Sequence, residues 1–179
     1  AEAFRGPAPD RPAPVKSVSK TLHAALVGRA LDEGVLRSPR QTLAETAPGL
    51  IPAGADPRVA ALTLADLLSM QAGLERTSGA AYGRWVESPD WVAHALTRPF
   101  AAEPGTRMLY STDSYHVLTA ALAAAAGRSL LALARDWLGA PLGAAIPAWT
   151  RDPQGRYMGG NQMALSPLAL ARFGEADRK

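Results

Sequence analysis

A serine and a lysine three residues apart are the side chains in this sequence best suited to nucleophilic chemistry. Ser17 and Lys20 lie in the run Lys16-Ser17-Val18-Ser19-Lys20, and the chain has only three lysines against sixteen arginines. Arginine stays charged at any working pH, whereas a desolvated lysine can lose its proton and act as a base on a serine hydroxyl. Ten serines and three lysines give this spacing by chance about one time in six, so the surrounding sequence must support it.

Apolar residues after Ser17 recur at the spacing of an α-helix, which places Ser17 at the amino end of that helix. The periodic positions are Val18, Leu22, Ala25, Leu26 and Ala30. In a helix, Ser17 and Lys20 share one face, with Cβ atoms about 5–6 Å apart. The free backbone N–H groups and the positive dipole at the helix start favour an oxyanion on the substrate and a neutral Lys20 amine. The backbone N–H of Ser17 is itself expected to help hold that oxyanion.

Tyr110 is the candidate for a third polar group of this site. It follows the turn Glu103-Pro104-Gly105-Thr106 and precedes a helix predicted over Asp113 to Ala126. A loop at this place can aim the phenol inward, where it would relay a proton to the leaving group. The alternative is a tyrosine that packs on the following helix, and the local sequence leaves both interpretations open.

Helical patterns account for most of the remaining chain, and strand patterns are nearly absent. We predict six helices, which begin at Ser17, Leu64, Ser88-Pro89, Asp113, Ser129 and Ser166-Pro167. Thr63 is the predicted cap of the second helix, and the fifth is expected to reach Leu138. Residues 35–62 predict a surface segment with a short helix near Leu43, and Arg107 to Tyr110 predicts a very short strand.

Composition and charge exclude several classes of function. At 179 residues the chain fits one domain with a sizeable core. The net charge of +3 is too small and too scattered to predict binding of nucleic acid or a membrane surface. No apolar run reaches the ~18 residues of a membrane span. Without a recognisable signal peptide, the compartment stays open between bacterial periplasm and cytoplasm.

Metal and disulfide chemistry finds no support in the residue types present. The chain has no cysteine, which excludes disulfides and thiolate metal sites. His23, His94 and His116 lack the spacing of a metal site, and we expect them to be ordinary helix residues.

Several blocks of the sequence, taken in order, resemble the serine beta-lactamase-like hydrolases. They are Ser17 to Lys20 at a helix start, Leu62 to Leu74, Pro104-Gly105-Thr106 leading into Tyr110-Ser111-Thr112, Trp149 to Gly155, Gly159-Gly160-Asn161, and Ser166-Pro167 to Gly174. This superfamily includes class C beta-lactamases, penicillin-binding carboxypeptidases, related esterases and 6-aminohexanoate-oligomer hydrolases. The chain is most similar to the last group, and the similarity covers most of residues 15–174.

The resemblance implies an α/β fold of the beta-lactamase/transpeptidase type, of which this chain holds mainly the helical part. By position, Ser17 would be the acylated nucleophile, Lys20 its proton acceptor and Tyr110 the second acid/base group. Which group is the base is disputed even for established members with this motif. The implied reaction is acyl transfer from a small-molecule amide or ester to water, with no metal or organic cofactor.

Two departures from the family pattern keep other interpretations open. Thr112 stands where many members have asparagine, and a hydroxyl cannot donate and accept through two separate atoms as a carboxamide does, which weakens the case for a beta-lactam substrate. The third motif, a Lys- or His-Thr-Gly on a sheet strand, is missing, since Thr77-Ser78-Gly79 lies in the wrong place. We therefore expect a fragment that lacks much of the antiparallel sheet, with the missing sheet segment or a second copy as its partner. The alternatives are a non-catalytic fragment and a penicillin-binding module that acylates without turnover.

Four residues are weaker candidates for substrate binding. Thr112 follows from the family position, Tyr82 and Trp85 lie between two predicted helices where they could line an acyl pocket, and Asn161 could face the substrate. The alternative for the two aromatic residues is that they pack into the protein. On this interpretation residues 1–16 form an extended lead-in, 17–175 the nucleophile-bearing part of the domain, and 176–179 a tail.

Overall fold

A long, almost fully buried helix lies at the centre of the fold, and the helix that follows Ser17 packs against it. The computed structural model describes residues 8–176. Its helices are α1 (Ser19–Asp32), α2 (Leu43–Thr46), α3 (Arg58–Ala61), α4 (Leu64–Leu68), α5 (Tyr82–Val86), α6 (Trp91–Leu96), α7 (Thr112–Ala126), α8 (Leu130–Ala134), α9 (Ala140–Leu142) and α10 (Pro167–Ala176). The central helix, α7, contacts α1, α2, α4, α6 and α8. Because Thr112 begins α7 and Ser17 precedes α1, this packing brings distant parts of the sequence together.

The burial of α7 follows from its composition. Val117, Leu118, Ala121 and Leu122 each expose 1% or less of their surface. Complete burial of a leucine side chain contributes about 1.5–3 kcal/mol, so this row fixes α7 against its neighbours. A helix that is apolar around most of its circumference is typical of a core helix.

The segment 35–62, which the sequence predicts to lie on the surface, is instead tied into the core. Leu36, Leu43, Val59 and Leu62 each expose 2% or less of their surface. The Leu43 backbone N–H donates to the Leu62 carbonyl oxygen at 2.7 Å, which joins the two ends of the segment. The surface prediction was wrong because these apolar anchors are too widely spaced to show helical or strand periodicity.

Capping boxes start α2 and α4. The hydroxyl oxygens of Thr42 and Thr63 accept from the backbone N–H groups of Glu45 and Asp66, and each carboxylate accepts the backbone N–H of its threonine. An N-cap of this type contributes about 1 kcal/mol. The prediction that Thr63 caps a helix is therefore confirmed.

Two short strands bring the segment before Ser17 next to a late part of the chain. β1 (Ala13–Pro14) and β2 (Ala164–Leu165) pair antiparallel. The Val15 backbone N–H also donates to the Met163 carbonyl oxygen at 2.8 Å. Together these contacts fix the segment directly before Ser17 to residues 163–165.

The prediction of a mainly helical chain with little sheet is confirmed, although some boundaries differ. The helix expected from Ser88-Pro89 begins at Trp91, because the Asp90 carboxylate accepts from two backbone N–H groups at that point. Arg107 to Tyr110 forms no strand among the described residues. A strand was wrong there because no partner strand lies beside this segment in the described part of the chain.

The fifth and sixth predicted helices begin where the sequence indicates. Ser129 caps α8, but the continuation toward Leu138 passes through a π-helical turn, Arg135–Gly139. The Ser166 hydroxyl oxygen accepts from the Ala169 backbone N–H at 3.1 Å and so caps α10.

The ends of the predicted domain lie partly outside the described residues. Residues 1–7 of the lead-in and 177–179 of the tail fall outside them. Between residues 8 and 176, no single helix has the length and apolar character of a membrane span. One pair, Thr112–Ala126 with Leu130–Leu142, reaches that length and composition but is bent by 85°.

Candidate active site

Ser17 lies in a 3₁₀ turn, Lys16–Val18, that leads directly into α1. Lys16 has a φ of +51°, in the left-handed region, which costs a residue with a Cβ atom roughly 1–2 kcal/mol. This conformation turns the chain sharply from β1 into the helix and leaves Ser17 exposed at its start. Strained backbone of this kind clusters at functional sites.

Ser19 ties this turn to a later segment of the chain. Its hydroxyl donates to the Lys16 carbonyl oxygen at 2.6 Å and accepts from the Met163 backbone N–H at 3.2 Å. Ser19 is fully buried, so water does not compete for either bond. Sequence reasoning missed this role, because nothing in the sequence sets Ser19 apart from its place inside the motif.

The Lys20 amine lies between the nucleophile and two oxygen atoms from distant parts of the chain. Its Nζ is 3.5 Å from Ser17 Oγ, 3.3 Å from Thr112 Oγ1 and 2.9 Å from the Gly160 carbonyl oxygen. A neutral amine has two N–H donors and one lone pair. If a neutral Lys20 donates to Thr112 and Gly160, its lone pair remains for the proton of the Ser17 hydroxyl.

Burial lowers the pKa of Lys20 below its ordinary value. The residue is only 6% exposed, and desolvation disfavours its ammonium form. A hydrogen bond to Tyr110 and the charges of Tyr110 and Asp113 offset part of this effect. The amine therefore releases its proton more readily than a lysine in water, which is the property that a base requires.

Tyr110 lies across the same cleft, with its ring centroid 4.7 Å from Lys20 Nζ. Burial raises the pKa of its phenol, but hydrogen bonds to Ser17 and Lys20 and the charge of Lys20 lower it by more, so the net pKa is below the ordinary value. The side chain is 39% exposed, which leaves it accessible to a leaving group. The structure thus brings Ser17, Lys20 and Tyr110 together, and their catalytic roles stay predictions.

Thr112 connects Lys20 to a residue that sequence reasoning missed, Ser78. Thr112 is buried at the start of α7, and its backbone N–H donates to Ser78 Oγ at 3.0 Å. The two hydroxyl oxygens lie 3.1 Å apart. The Thr77-Ser78-Gly79 run is misplaced for the third family motif, and only the folded chain shows that it reaches the neighbour of Lys20.

Two histidines hold the segment that carries the Gly160 carbonyl group. The backbone N–H of Gly159 donates to His116 Nδ1 at 3.1 Å, and that of Gly160 donates to His23 Nδ1 at 3.0 Å. Both imidazoles are fully buried. Sequence reasoning assigned neither histidine a role, because their partners lie far away along the chain.

Both glycines are required by close packing on α7. A Cβ atom on Gly159 would lie 2.2 Å from Thr119 Oγ1 and 2.3 Å from the Tyr115 carbonyl oxygen. A Cβ atom on Gly160, whose φ is +73°, would lie 2.7 Å from Tyr115 Cβ. Side chains here would push the segment off α7 and move the Gly160 carbonyl group away from Lys20.

A buried carboxylate fixes the orientation of His116. Asp152 Oδ2 lies 3.1 Å from His116 Nε2 and accepts from Arg156 Nη1 at 3.2 Å. Burial raises the pKa of Asp152, but the hydrogen bonds from His116 and Arg156 lower it by more. Asp152 thereby holds the His116 proton on Nε2 and leaves Nδ1 to accept from Gly159.

Ser17 opens onto a cleft of about 370 Å³, within the usual range for small-molecule sites. The cleft is lined by Ser17, Ser78, Gly79, Tyr82, Tyr110, Thr112 and Asn161. A larger groove of about 970 Å³ runs beside the carboxyl-terminal half of α1. Its lining holds the ion pairs Arg29–Glu33 and Arg128–Asp136 and contains no serine or lysine. We therefore place the site in the smaller cleft.

The weaker candidates separate into two groups. Asn161 Nδ2 donates to the Tyr82 hydroxyl at 3.1 Å, and both side chains line the cleft. Trp85 is instead fully buried against Trp91 and His116, and its Nε1 donates to the Trp91 carbonyl oxygen at 3.0 Å. The placement of Trp85 in an acyl pocket is therefore corrected, because its large apolar ring is packed in the core behind Tyr82.

The histidines do not form a metal site in the described part of the chain. Between residues 8 and 176, no group of three or more His, Asp or Glu side chains is close enough to hold a metal ion. His94 lies on α6, where burial lowers its pKa. Its Nε2 has no hydrogen-bond partner among the described residues.

A curated relative places the sequence in context. The Probable fimbrial assembly protein FimD, serogroup H1, of Dichelobacter nodosus is 32% identical over 125 residues, which cover 68% of this chain and 31% of that protein. The chain thus spans about a third of the length of this relative.

Solved structures share the fold over about half of their own length. EstCE1, described as a hydrolase with promiscuous acyltransferase activity, matches with a TM-score of 0.78 at 20% identity. The match covers 96% of this chain and 60% of the EstCE1 chain. A proposed 6-aminohexanoate-dimer hydrolase from Bacillus anthracis has a TM-score of 0.70 at 16% identity, covering 97% of this chain and 49% of its own. At these identities the likeness shows the fold alone.

The family follows from the extent of the sequence match. The model of the Beta-lactamase family matches residues 1–174, which is nearly the whole chain. The predicted resemblance and the partial beta-lactamase-type fold are thus confirmed. This chain belongs to the beta-lactamase family, whose members are serine hydrolases.

Proposed function

We propose that this chain carries the nucleophile and base of a serine hydrolase that cleaves a small-molecule amide or ester through an acyl-enzyme on Ser17. The observation that carries the proposal is the buried Lys20 amine, 3.5 Å from Ser17 Oγ. Lysines seldom lie buried without a partner carboxylate, because their charge is costly to desolvate. A buried amine with a lowered pKa beside a serine hydroxyl is therefore best explained as a base.

Acylation begins when Ser17 Oγ attacks the substrate carbonyl carbon. The Ser17 proton passes to the lone pair of the Lys20 amine as the new C–O bond forms. The carbonyl π electrons move onto oxygen, and we assign the Ser17 backbone N–H, at the start of α1, as one donor to that oxyanion. The 3₁₀ turn supports this assignment, since it exposes Ser17 at the positive end of the helix.

Tyr110 supplies the proton that the leaving group needs. The tetrahedral intermediate collapses, the bond to the amine nitrogen or alcohol oxygen breaks, and the phenol donates its proton to that atom. Lys20 then returns the Ser17 proton to the phenolate. In deacylation, water attacks the acyl carbon and gives a proton to the same pair of groups, which return one to Ser17 Oγ as it leaves.

The cleft favours an uncharged acyl group on the substrate. Hydroxyl groups of Ser78, Tyr82 and Thr112 and the carboxamide of Asn161 line it, with no carboxylate or guanidinium in the lining. A hydroxyl at Thr112 in place of a carboxamide weakens the case for a beta-lactam. We therefore propose an ester or a linear amide as the substrate.

Covalent labelling tests the nucleophile directly. The protein is incubated with a fluorophosphonate or a nitrophenyl ester, and its intact mass and peptides are measured. We expect a single adduct on Ser17 and a burst of nitrophenol. Ser17→Ala should abolish both, whereas Ser69→Ala, at an exposed serine outside the cleft, should leave both unchanged. A wild-type protein without an adduct on Ser17 would show that the proposal is wrong.

A second candidate is acylation without turnover, or no catalysis, until another segment of polypeptide covers Ser17. The observation that favours it is the exposure of Val18 and Met108, at 50% and 55%. Val18 follows Ser17 directly in the chain and Met108 precedes Tyr110 by two residues, so we take these exposed apolar side chains as positions that another segment would cover. A fluorescent penicillin that labels stably without product release would favour acylation without turnover. A folded monomer with protected amides and no label would favour a non-catalytic module.

A further inference from the structure

We propose that His23 and His116 are positioning residues for Lys20 and act through the two glycines that they hold. The inference rests on the proposed function, because it assigns both imidazoles to the base of that site. Consecutive backbone N–H groups, those of Gly159 and Gly160, donate to the Nδ1 atoms of the two imidazoles. The Gly160 carbonyl oxygen in turn accepts from the Lys20 amine at 2.9 Å. We call these two histidines and two glycines the imidazole clamp.

The direction of the Lys20 lone pair depends on this carbonyl group. Gly160 O and Thr112 Oγ1 lie 2.9 and 3.3 Å from Lys20 Nζ. A neutral amine that donates to both keeps its lone pair for the Ser17 hydroxyl, whose oxygen lies 3.5 Å from Nζ. If the carbonyl group moved, an N–H could rotate toward Ser17 Oγ, and the lone pair would point away from the proton that it must accept. Misplacement of a catalytic group by about 1 Å can cost about 10²-fold in rate.

His23 suits this task because its ring stays neutral. Burial lowers the pKa of His23 to about 3. An imidazolium has no lone pair on Nδ1 and could not accept from the Gly160 N–H. A neutral ring that accepts at Nδ1 carries its own proton on Nε2.

The buried Nε2 proton of His23 lowers the stability of the fold, which is unexpected for a residue with a purely structural role. Nε2 has no hydrogen-bond partner among the described residues, and the side chain is fully buried. An unpaired buried donor lowers stability, so an apolar side chain would pack better here. His23 follows Lys20 by three residues, as Lys20 follows Ser17, so these three side chains lie along one face of the helix start. The Nδ1 acceptor explains why this face carries an imidazole.

His116 completes the clamp from the other helix. α1 carries both Lys20 and His23, and α7 carries both Thr112 and His116. Each helix that supplies a group to the site thus also supplies an imidazole to the glycine segment. The clamp therefore fixes the Gly160 carbonyl group relative to both helices together.

Substitutions at His23 distinguish the effect of losing the Nδ1 acceptor from the effect of changing the side-chain volume. His23→Leu removes Nδ1 with little change in size, whereas His23→Asn restores an acceptor, because Asn Oδ1 lies where Nδ1 lies. His23→Gln places its oxygen at the Nε2 position and is a polar substitution without the required acceptor. His94→Leu, on α6 and outside the cleft, is the control for loss of an imidazole whose Nε2 is unpaired.

The assay measures the maximal rate and the half-saturating concentration of fluorophosphonate labelling at Ser17. We expect His23→Leu to lower the maximal rate by about 10²-fold with an unchanged half-saturating concentration. His23→Asn should recover most of that rate, and His94→Leu should match the wild type. Labelling by His23→Leu at the wild-type rate would overturn the proposal. Should His23→Leu not fold, the labelling rate of His23→Gln is compared with that of His23→Asn. Equal rates for these two variants would overturn the proposal.

A readout independent of activity keeps the clamp separate from the proposed function. The chain has only three lysines, so the ¹³Cε signals of Lys20 and Lys16 can be followed by NMR as pH is raised. The Gly160 carbonyl favours the ammonium form, so we expect His23→Leu to lower the pKa of Lys20. If Ser17 of the wild type is not labelled, the proposed function fails. A Lys20 pKa that is lowered in His23→Leu and restored in His23→Asn would still support the clamp. An unchanged Lys20 pKa would overturn it.

Discussion

Replacing Lys20 with arginine keeps a positive charge on a long side chain but removes the base. A guanidinium has a pKa above about 12 and offers no lone pair at neutral pH, whereas burial lowers the pKa of Lys20. General-base catalysis by a positioned side chain contributes about 10²–10⁴-fold. At about 1.36 kcal/mol per tenfold, this is about 3–5 kcal/mol of transition-state stabilisation. We expect Lys20→Arg to slow acylation of Ser17 by this factor.

The contacts of Lys20 show which part of its role this substitution removes. A guanidinium still has N–H donors for the Gly160 carbonyl oxygen and Thr112 Oγ1, which accept from Nζ at 2.9 and 3.3 Å in the wild type. It has nothing to offer the Ser17 hydroxyl proton. The loss in Lys20→Arg therefore reports proton acceptance, and Lys20→Met, which removes the donors as well, should lose at least as much.

Pre-steady-state measurement of the nitrophenyl ester burst across a pH series provides the assay. In the wild type, the rate should rise as Lys20 loses its proton, with a midpoint below the ordinary lysine pKa of about 10.4, because burial lowers it. Lys20→Arg should show a slow rate without this rise. Lys16→Arg, at the exposed lysine next to Ser17, is the matched control and should behave as the wild type. A Lys20→Arg rate above about a tenth of the wild-type rate would refute the reasoning.

Three further predictions follow from the site and its support. Tyr110→Phe should lower kcat for ester hydrolysis by about 10²-fold with little change in KM, because the leaving group loses its proton donor. Gly159→Ala should destabilise the protein by about 1–3 kcal/mol in urea unfolding, since its Cβ atom meets backbone atoms of α7. Gly28→Ala, where a Cβ atom meets nothing within 4 Å, should instead gain about 0.5–1 kcal/mol. The lowered pKa of Asp152 contributes stability above its unfolded pKa of about 3.9 that is lost as pH falls through the lower folded pKa. Asp152→Asn should reduce the free energy of unfolding at neutral pH, because His116 Nε2 loses a charged partner, and flatten its decline in acid.

Each of these predictions has an outcome that contradicts it. A wild-type kcat in Tyr110→Phe would remove the phenol from the mechanism. If Gly159→Ala proved as stable as Gly28→Ala, the glycine segment would be free to shift on α7 without cost. An acid-unfolding curve for Asp152→Asn that coincides with the wild type would show that hydrogen bonds do not hold the pKa of this carboxyl down.

Local sequence patterns were sufficient to predict the parts of the site that lie on one helix. Ser17 and Lys20 are related by the geometry of a single turn, and the apolar periodicity that follows marks the helix. Thr63 could likewise be recognised as a cap, because capping depends on residues three apart. In these cases the residues that interact are also close together in the sequence, so a local pattern is sufficient to find them.

The remaining parts of the site depend on contacts between distant segments. His23 and His116 look like ordinary helix residues because their acceptors are directed at Gly159 and Gly160, more than forty residues away along the chain. Ser78 reaches Thr112 only through the packing of its loop on α7. Trp85 was placed in the cleft because its position between helices does not show which way the ring faces. Neither spacing nor propensity carries such information.

The pairing of β1 with β2 also bears on how the chain folds. It joins residues 13–14 to residues 164–165, near opposite ends of the described chain. Helices such as α1 and α7 form through local contacts, whereas closing so long a loop is slow and entropically unfavourable. We expect the turn that holds Ser17 to be completed only after the helices have packed. A nascent chain would then keep its serine inert until the residues around β2 have been synthesised.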